Sequence, residues 1–245
     1  MPVRLKCLAP RPMATVRLIC LPYAGGGAGV FQPWVAATPA SIELYALQLP
    51  GREDRLAEPL HTSWPAMIGE AKAALDSLPR LPLALFGYSL GAVIALDLAR
   101  WLTLAKPGVL QQLFCAARPW PGAPTSERDG LHALADDALV EALDQQYGSL
   151  STSLLHPEIR ELALPILRAD LALLASHRFE RSASLNCPVT VYGGRDDPVT
   201  PPAALEAWQA ECAGPFTVAQ FDGSHFFLET HRAALIADVV QRLVG

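Results

Sequence analysis

Residues 85–93, LFGYSLGAV, contain the pentapeptide Gly87-Tyr88-Ser89-Leu90-Gly91, a G-x-S-x-G pattern set between two apolar runs. The run before it, LPLALF (81–86), has the length and composition of a short buried strand. The run after it, LGAVIALDLARWL (90–102), reads as a helix that is apolar nearly all round. A strand that turns sharply into a helix is the setting in which this pattern exposes a serine hydroxyl at the edge of a sheet. The flanking glycines matter because a Cβ at either position would collide with the neighbouring strand and helix. Ser89 is therefore the candidate nucleophile.

Outward from this turn, strand and helix patterns alternate. TVRLICLP (15–22) is followed by the glycine loop AGGGAG (24–29) and a helical stretch around FQPWVAAT (31–38). Strand IELYALQLP (42–50), loop GREDRLAEP (51–59) and helix SWPAMIGEAKAALDSL (63–78) lead to the serine strand, and QQLFCAARP (111–119) follows it. Such alternation predicts a mostly parallel sheet with helices on both faces. Beyond Pro119 it stops. Residues from about 120 to 180 hold turn residues and two helical patterns, DDALVEALDQQYG (136–148) and HPEIRELALPILRADLALLASHRF (156–179). A helical insertion at that point of a sheet is placed to act as a lid, and Leu173 is expected on its inward side. The sheet then resumes with CPVTVYGG (187–194), helix PAALEAWQAEC (202–212), strand FTVAQFDG (216–223) and a closing helix (230–245). No repeat or linker divides the chain, so residues 1–245 read as one domain carrying the insertion. Residues 1–12, with three prolines and no periodicity, read as a loose leader, and Met13 is an alternative start to Met1.

Composition narrows the function classes. Half the residues are apolar, 18% are charged and the formal net charge is −5, which argues against nucleic acid as a partner because phosphate binding needs clustered Lys and Arg. Cys7, Cys20, Cys115, Cys187 and Cys212 are odd in number and scattered, and read as buried thiols of a reducing cytoplasm, with no catalytic cysteine among them. No apolar run has the length of a membrane span, and no secretory signal is apparent, so a cytoplasmic protein without a membrane partner is expected.

A serine hydroxyl is a weak nucleophile and needs a positioned base. Of six histidines, His225 follows a strand in the loop FDGSHFFLE (221–229), where its ring can reach over the carboxyl edge of the sheet. The base needs a carboxylate to fix its tautomer. The loop GGRDDPVTPP (193–202) offers two: spacing from Gly194 selects Asp197, spacing back from Val199 selects Asp196, and Asp197 is favoured, with the other acid expected to cap the following turn. Oxyanion donors are expected from the N–H of Leu90 and from the loop PYAGGGAG (22–29), at Ala24. That loop lacks the Gly-Lys-Ser/Thr ending and the last glycine of nucleotide-binding loops. Arg52, Glu53 and Arg55 either shape the site entrance or form local ion pairs in a solvated loop.

The order Ser89, Asp197, His225 resembles that of α/β-hydrolases. Nearly the whole chain resembles the type II thioesterases, the stand-alone editing enzymes of polyketide and non-ribosomal peptide synthesis. The likeness runs through LICLPYAGGGAG, LQLPGREDRL (47–56), LFGYSLGA, LRADLALL (167–174), YGGRDDPV and FDGSHFFL. PYAGG and QLPGRE separate this group from general esterases, which share only the elbow and triad. The sequence departs from the family at Tyr88, where a histidine is frequent, and in an acid loop one residue shorter than usual. The resemblance implies an α/β-hydrolase fold and hydrolysis of acyl thioesters on the phosphopantetheine arms of acyl- or peptidyl-carrier proteins. It implies an acyl-enzyme on Ser89, no metal and no dissociable cofactor, and a monomer is expected. A general carboxylesterase, an acyl-CoA thioesterase and a non-catalytic binding module on the same fold are the alternatives.

Overall fold

The structure, a computed structural model, describes residues 4–123, 127–147, 156–180, 182 and 184–245. Its centre is a seven-stranded sheet of order β1-β3-β2-β4-β5-β6-β7. The strands are β1 (Arg4–Ala9), β2 (Val16–Leu21), β3 (Ile42–Gln48), β4 (Leu83–Tyr88), β5 (Leu110–Ala116), β6 (Val189–Gly194) and β7 (Phe216–Phe221). All neighbours pair in parallel except β1, which runs antiparallel to β3. Parallel strands covered on both faces need apolar side chains on both, which is why β2 and β4 are buried at every position. Successive side chains go to opposite layers. Ile19, Leu21 and Leu85 join one core with α1 (Trp64–Asp76) and α2 (Leu90–Ala105). Leu18, Cys20, Phe86 and Phe114 join the other with Phe31, Trp34 and the closing helix. Arg17, inside β2, is tolerated because its guanidinium pairs with Glu43 at 2.6 Å.

The N-terminal segment departs from the sequence reading. Residues 4–9 form the edge strand β1, with Leu5 opposite Leu47 and Cys7 opposite Tyr45. Of the prolines that suggested a loose leader, Pro10 and Pro12 follow the strand, and Pro2 lies outside the described residues. Alternation over six residues is too short to stand out between them. Arg4 and Lys6 point to solvent, the usual protection of a sheet edge.

Between β5 and β6 the chain leaves the sheet, as expected, for a 3₁₀ turn (Glu127–Ala133), α3 (Asp136–Tyr147) and α4 (Pro157–Ser176). Residues 124–126 and 148–155 of this insertion lie outside the described residues. Leu131, Leu139, Leu143, Leu164 and Leu171 make a small core of its own. Leu173, further along α4, belongs instead to the large core with Trp64 and Leu90. After β6 come α5 (Pro202–Glu206), continued by a 3₁₀ turn to Glu211, then β7, the single turn α6 (Phe227–Thr230) and α7 (Arg232–Val244), which seats Leu235, Ile236 and Val239 on the sheet.

Candidate active site

Between β4 and α2 the backbone reverses within one residue, and Ser89 takes φ +54° and ψ −109°. That region is strained for a non-glycine residue. Packing holds it there: the Ser89 N–H donates to the Ala116 carbonyl at 2.8 Å. A Cβ on Gly87 would lie 2.2 Å from the Gly91 carbonyl oxygen, and one on Gly91 would lie 2.0 Å from that of Leu21. Helix α2 can approach β2 and β4 this closely only with glycine at both places. Ser89 itself stays 9% exposed at the top of the sheet.

His225, in the turn between β7 and α6, places Nε2 3.3 Å from Ser89 Oγ and Nδ1 2.8 Å from Asp197 Oδ2. Apo-state nucleophile–base contacts are commonly this loose. Asp197 lies in the loop after β6, so the three groups come from the carboxyl ends of β4, β6 and β7. Its Oδ1 accepts from the Val199 N–H at 2.9 Å and its Oδ2 also accepts from Thr200 Oγ1 at 2.7 Å. Burial by itself pushes this carboxyl up. Hydrogen bonding and charge interaction with His225, with the bonds from Thr200 and Val199, outweigh burial and hold it below the usual carboxylate value. An ionised carboxylate only accepts, so Nδ1 of His225 carries the proton and Nε2 is left to accept from the serine hydroxyl.

Asp196 is exposed, with its backbone N–H on the Gly223 carbonyl at 3.0 Å. The expectation that the second acid caps the turn is corrected: Asp197 does that itself while holding His225. The other histidines lie elsewhere, His177 against Asp97 at 3.4 Å and His61 beside Glu70 at 3.3 Å.

Tyr88, which precedes Ser89, is fully buried. Its phenol donates to the His225 carbonyl and accepts from the Leu228 N–H at 3.4 Å. Burial pushes its pKa well up, so it remains a donor. The His225 ring is also covered by Tyr147 of α3, with centroids 4.4 Å apart.

The glycine loop after β2 is held by side chains from two distant segments. Ala28 N–H donates to Gln48 Oε1 at 2.6 Å and Gly29 N–H to Glu53 Oε1 at 2.7 Å. The Gly25 N–H donates to Asp170 Oδ2 at 2.7 Å, and Arg52 Nη1 donates to the Gly26 carbonyl at 3.1 Å. Arg52 and Arg55 are buried while Glu53 is exposed, and the expected local ion pairs form, Arg55 with Glu58 at 2.5 Å and Lys6 with Glu53 at 3.9 Å. Among the described residues no backbone group accepts from Ala24 N–H, and Leu90, first residue of α2, has no intrahelical partner for its own.

Gln48, Tyr88, Tyr147 and Asp170 were not among the site residues expected from sequence. Asp170 had one signal: a lone carboxylate in the leucine-rich run 162–174. Burial pushes the thiols of Cys20 and Cys115 well up, that of Cys187 to about 11 and that of Cys212 to about 12, far from thiolate nucleophiles. No group of three or more His, Cys, Asp or Glu that could hold a metal, and no helix long and apolar enough to cross a membrane, occurs among the described residues.

An elbow serine followed in the chain by an acid and then a histidine, gathered at one edge of a parallel sheet, is the plan of the α/β-hydrolases, and this chain follows it. Residues 16–243 match the family model described as a thioesterase domain, and the chain belongs to that family. It is 33% identical over 230 residues to the gramicidin S biosynthesis protein GrsT of Aneurinibacillus migulanus, covering 94% of this chain and 90% of that one. To the thioesterase PikA5 of Streptomyces venezuelae it is 33% identical, covering 96% of this chain and 83% of the relative. Among solved structures, the type II thioesterase BorB from the borrelidin biosynthetic cluster superposes with a TM-score of 0.87 at 33% identity, over 98% of this chain and 97% of that one.

Proposed function

We propose that this chain is a type II thioesterase that hydrolyses acyl groups from the phosphopantetheine arms of carrier proteins in polyketide or non-ribosomal peptide synthesis. The observation that carries the reading is the hydrogen-bonded line from Ser89 Oγ through His225 to Asp197. The full-length likeness to GrsT and BorB, named for a gramicidin S and a borrelidin pathway, supports the substrate class.

In this reading Ser89 Oγ attacks the thioester carbonyl while His225 Nε2 takes its proton, and Asp197 stabilises the imidazolium. The N–H groups of Leu90 and Ala24 hold the oxyanion. Collapse breaks the C–S bond, with His225 returning the proton to the leaving thiol. Water activated by His225 then cleaves the acyl ester, releasing the acid and restoring Ser89. Segment 120–180 serves as the lid. Its small core joins α3 to Leu164 and Leu171 of α4, and Tyr147 reaches from it to the His225 ring. One chain supplies all three groups, so a monomer is sufficient for the chemistry, and five free thiols suit the cytoplasm.

The test compares kcat/KM for acyl-carrier proteins, the matching acyl-CoA and an oxyester of the same acyl group. Carrier-bound thioesters are expected to be the best substrates. Preference for the oxyester would make this a carboxylesterase, preference for acyl-CoA would move the substrate to the free thioester, and absence of any turnover would leave a binding module.

A further inference from the structure

We infer that Arg52 and Asp170 are a positioning pair that anchors the turn carrying the Ala24 N–H in place, although neither touches the reacting atoms. The inference rests on the oxyanion role given to Ala24 above. Residues Tyr23 to Gly26 form a tight turn, closed by the Gly26 N–H on the Tyr23 carbonyl at 2.9 Å. Gly25 has φ +81° while Ala24 is not among the positive-φ residues, which makes this a type II turn. Two peptide planes flank Ala24. The first is fixed by the turn bond: with the Tyr23 carbonyl engaged, the Ala24 N–H on the same trans plane must point the opposite way.

The second plane, between Ala24 and Gly25, is the one that differs between type II and type I turns. Its N–H donates to Asp170 Oδ2 at 2.7 Å. A flipped plane would instead turn the Ala24 carbonyl toward the carboxylate, which is repulsive. Asp170 thus holds the second plane in the type II orientation and ties the turn to α4, while the Ala24 N–H keeps the direction set by the turn bond. A buried carboxylate needs a partner, and Arg52 provides it through two bonds of 2.7 and 2.9 Å, while its Nη1 also holds the Gly26 carbonyl. Asp170 stands on α4 of the insertion and Arg52 follows β3. The pair therefore joins the insertion to the loop that carries Ala24.

Two double variants separate positioning from mere support. Arg52→Met with Asp170→Leu removes both charges and also the acceptor for the Gly25 N–H. Arg52→Gln with Asp170→Asn removes the charges but keeps an acceptor. The first is expected to lower kcat on an acyl-pantetheine thioester by about 100-fold, the size of effect seen when one oxyanion donor is lost, with KM within about threefold and the pH–rate midpoint unmoved. The second is expected to recover most of that loss. Equal kcat in both variants and wild type, or losses that only follow the fall in Tm, would overturn the inference. Should the wild type hydrolyse no thioester, the proposed function fails separately, and amide hydrogen exchange decides the pair. In wild type the exposed Gly25 amide should exchange slowly, and in the Met–Leu variant faster. Rapid Gly25 exchange in the wild type contradicts the pair even where a variant does not fold.

Discussion

Asp197 accepts three hydrogen bonds, from His225, Thr200 and Val199, and each favours its ionised form. As the proposed orienting acid it should be the costlier of the two adjacent carboxylates to neutralise. Asp197→Asn is expected to lower kcat by about 10⁴-fold by favouring the wrong histidine tautomer, whereas Asp196→Asn should leave it within about twofold. Steady-state kinetics on the pair checks this, and the reverse ranking would transfer the role. Because the folded pKa lies below the usual carboxylate value of about 3.9, the contribution of Asp197 to stability is full above that pH and is lost as pH falls through the folded value. Denaturation of wild type and Asp197→Asn should therefore show a stability gap that is constant above about pH 5 and narrows below about pH 4. The candidate triad was legible because Ser89, Asp197 and His225 each follow an apolar strand. Between Asp196 and Asp197 the sequence carried only a preference for Asp197, since both fit the spacing and side-chain direction is what separates them. Tyr88 was legible as a departure from a family pattern and not as a clamp. Tyr88→Phe leaves the His225 carbonyl without its donor and should cost about 1–3 kcal/mol in stability, with kcat lowered more than KM. Unchanged melting and unchanged kcat would remove that role.

Helix α4 has two loyalties, and sequence periodicity could not divide them. Leu164 and Leu171 pack with α3, Leu173 packs into the main core, and Asp170 reaches the glycine loop. All lie in one leucine-rich run, so helical spacing identifies the helix without saying which core each leucine enters. Leu173→Trp is therefore expected to overpack the core and cost about 1–3 kcal/mol, with acyl preference unchanged. Leu167, whose Cδ1 lies 3.7 Å from where a Gly25 Cβ would be, and Tyr147, above His225, are the better probes of access. Leu167→Trp and Tyr147→Ala should shift the ratio of kcat/KM for short and long acyl chains several-fold with smaller changes in Tm. Chain-length preference that does not respond to either would make the insertion scaffold rather than lid. The elbow, by contrast, was readable at once, because G-x-S-x-G between apolar runs admits few backbone solutions.

The sheet order places β4 next to β2 and β5, so Ser89 stands at the middle of the sheet, with Asp197 and His225 at the ends of the next two strands beyond β5. Parallel strands with crossover helices bring every strand's carboxyl end to one edge, which is how groups 136 positions apart in sequence meet at 3.3 Å. This much followed from the alternation of strand and helix patterns. The antiparallel edge strand β1 did not, because six residues flanked by prolines carry little periodic signal. Deleting residues 4–9 should expose the β3 edge, lower Tm and promote association, while the catalytic edge and kcat of the soluble fraction stay near wild type. Light scattering with thermal melts would check it. The most direct test of the central claim is intact-mass measurement of acyl-carrier protein incubated with wild type and with folded Ser89→Ala. The carrier should lose its acyl mass, with the phosphopantetheine arm retained, only in the presence of wild type. Deacylation at equal rates by the Ser89→Ala variant, or an untouched carrier in the presence of wild type, would contradict the account.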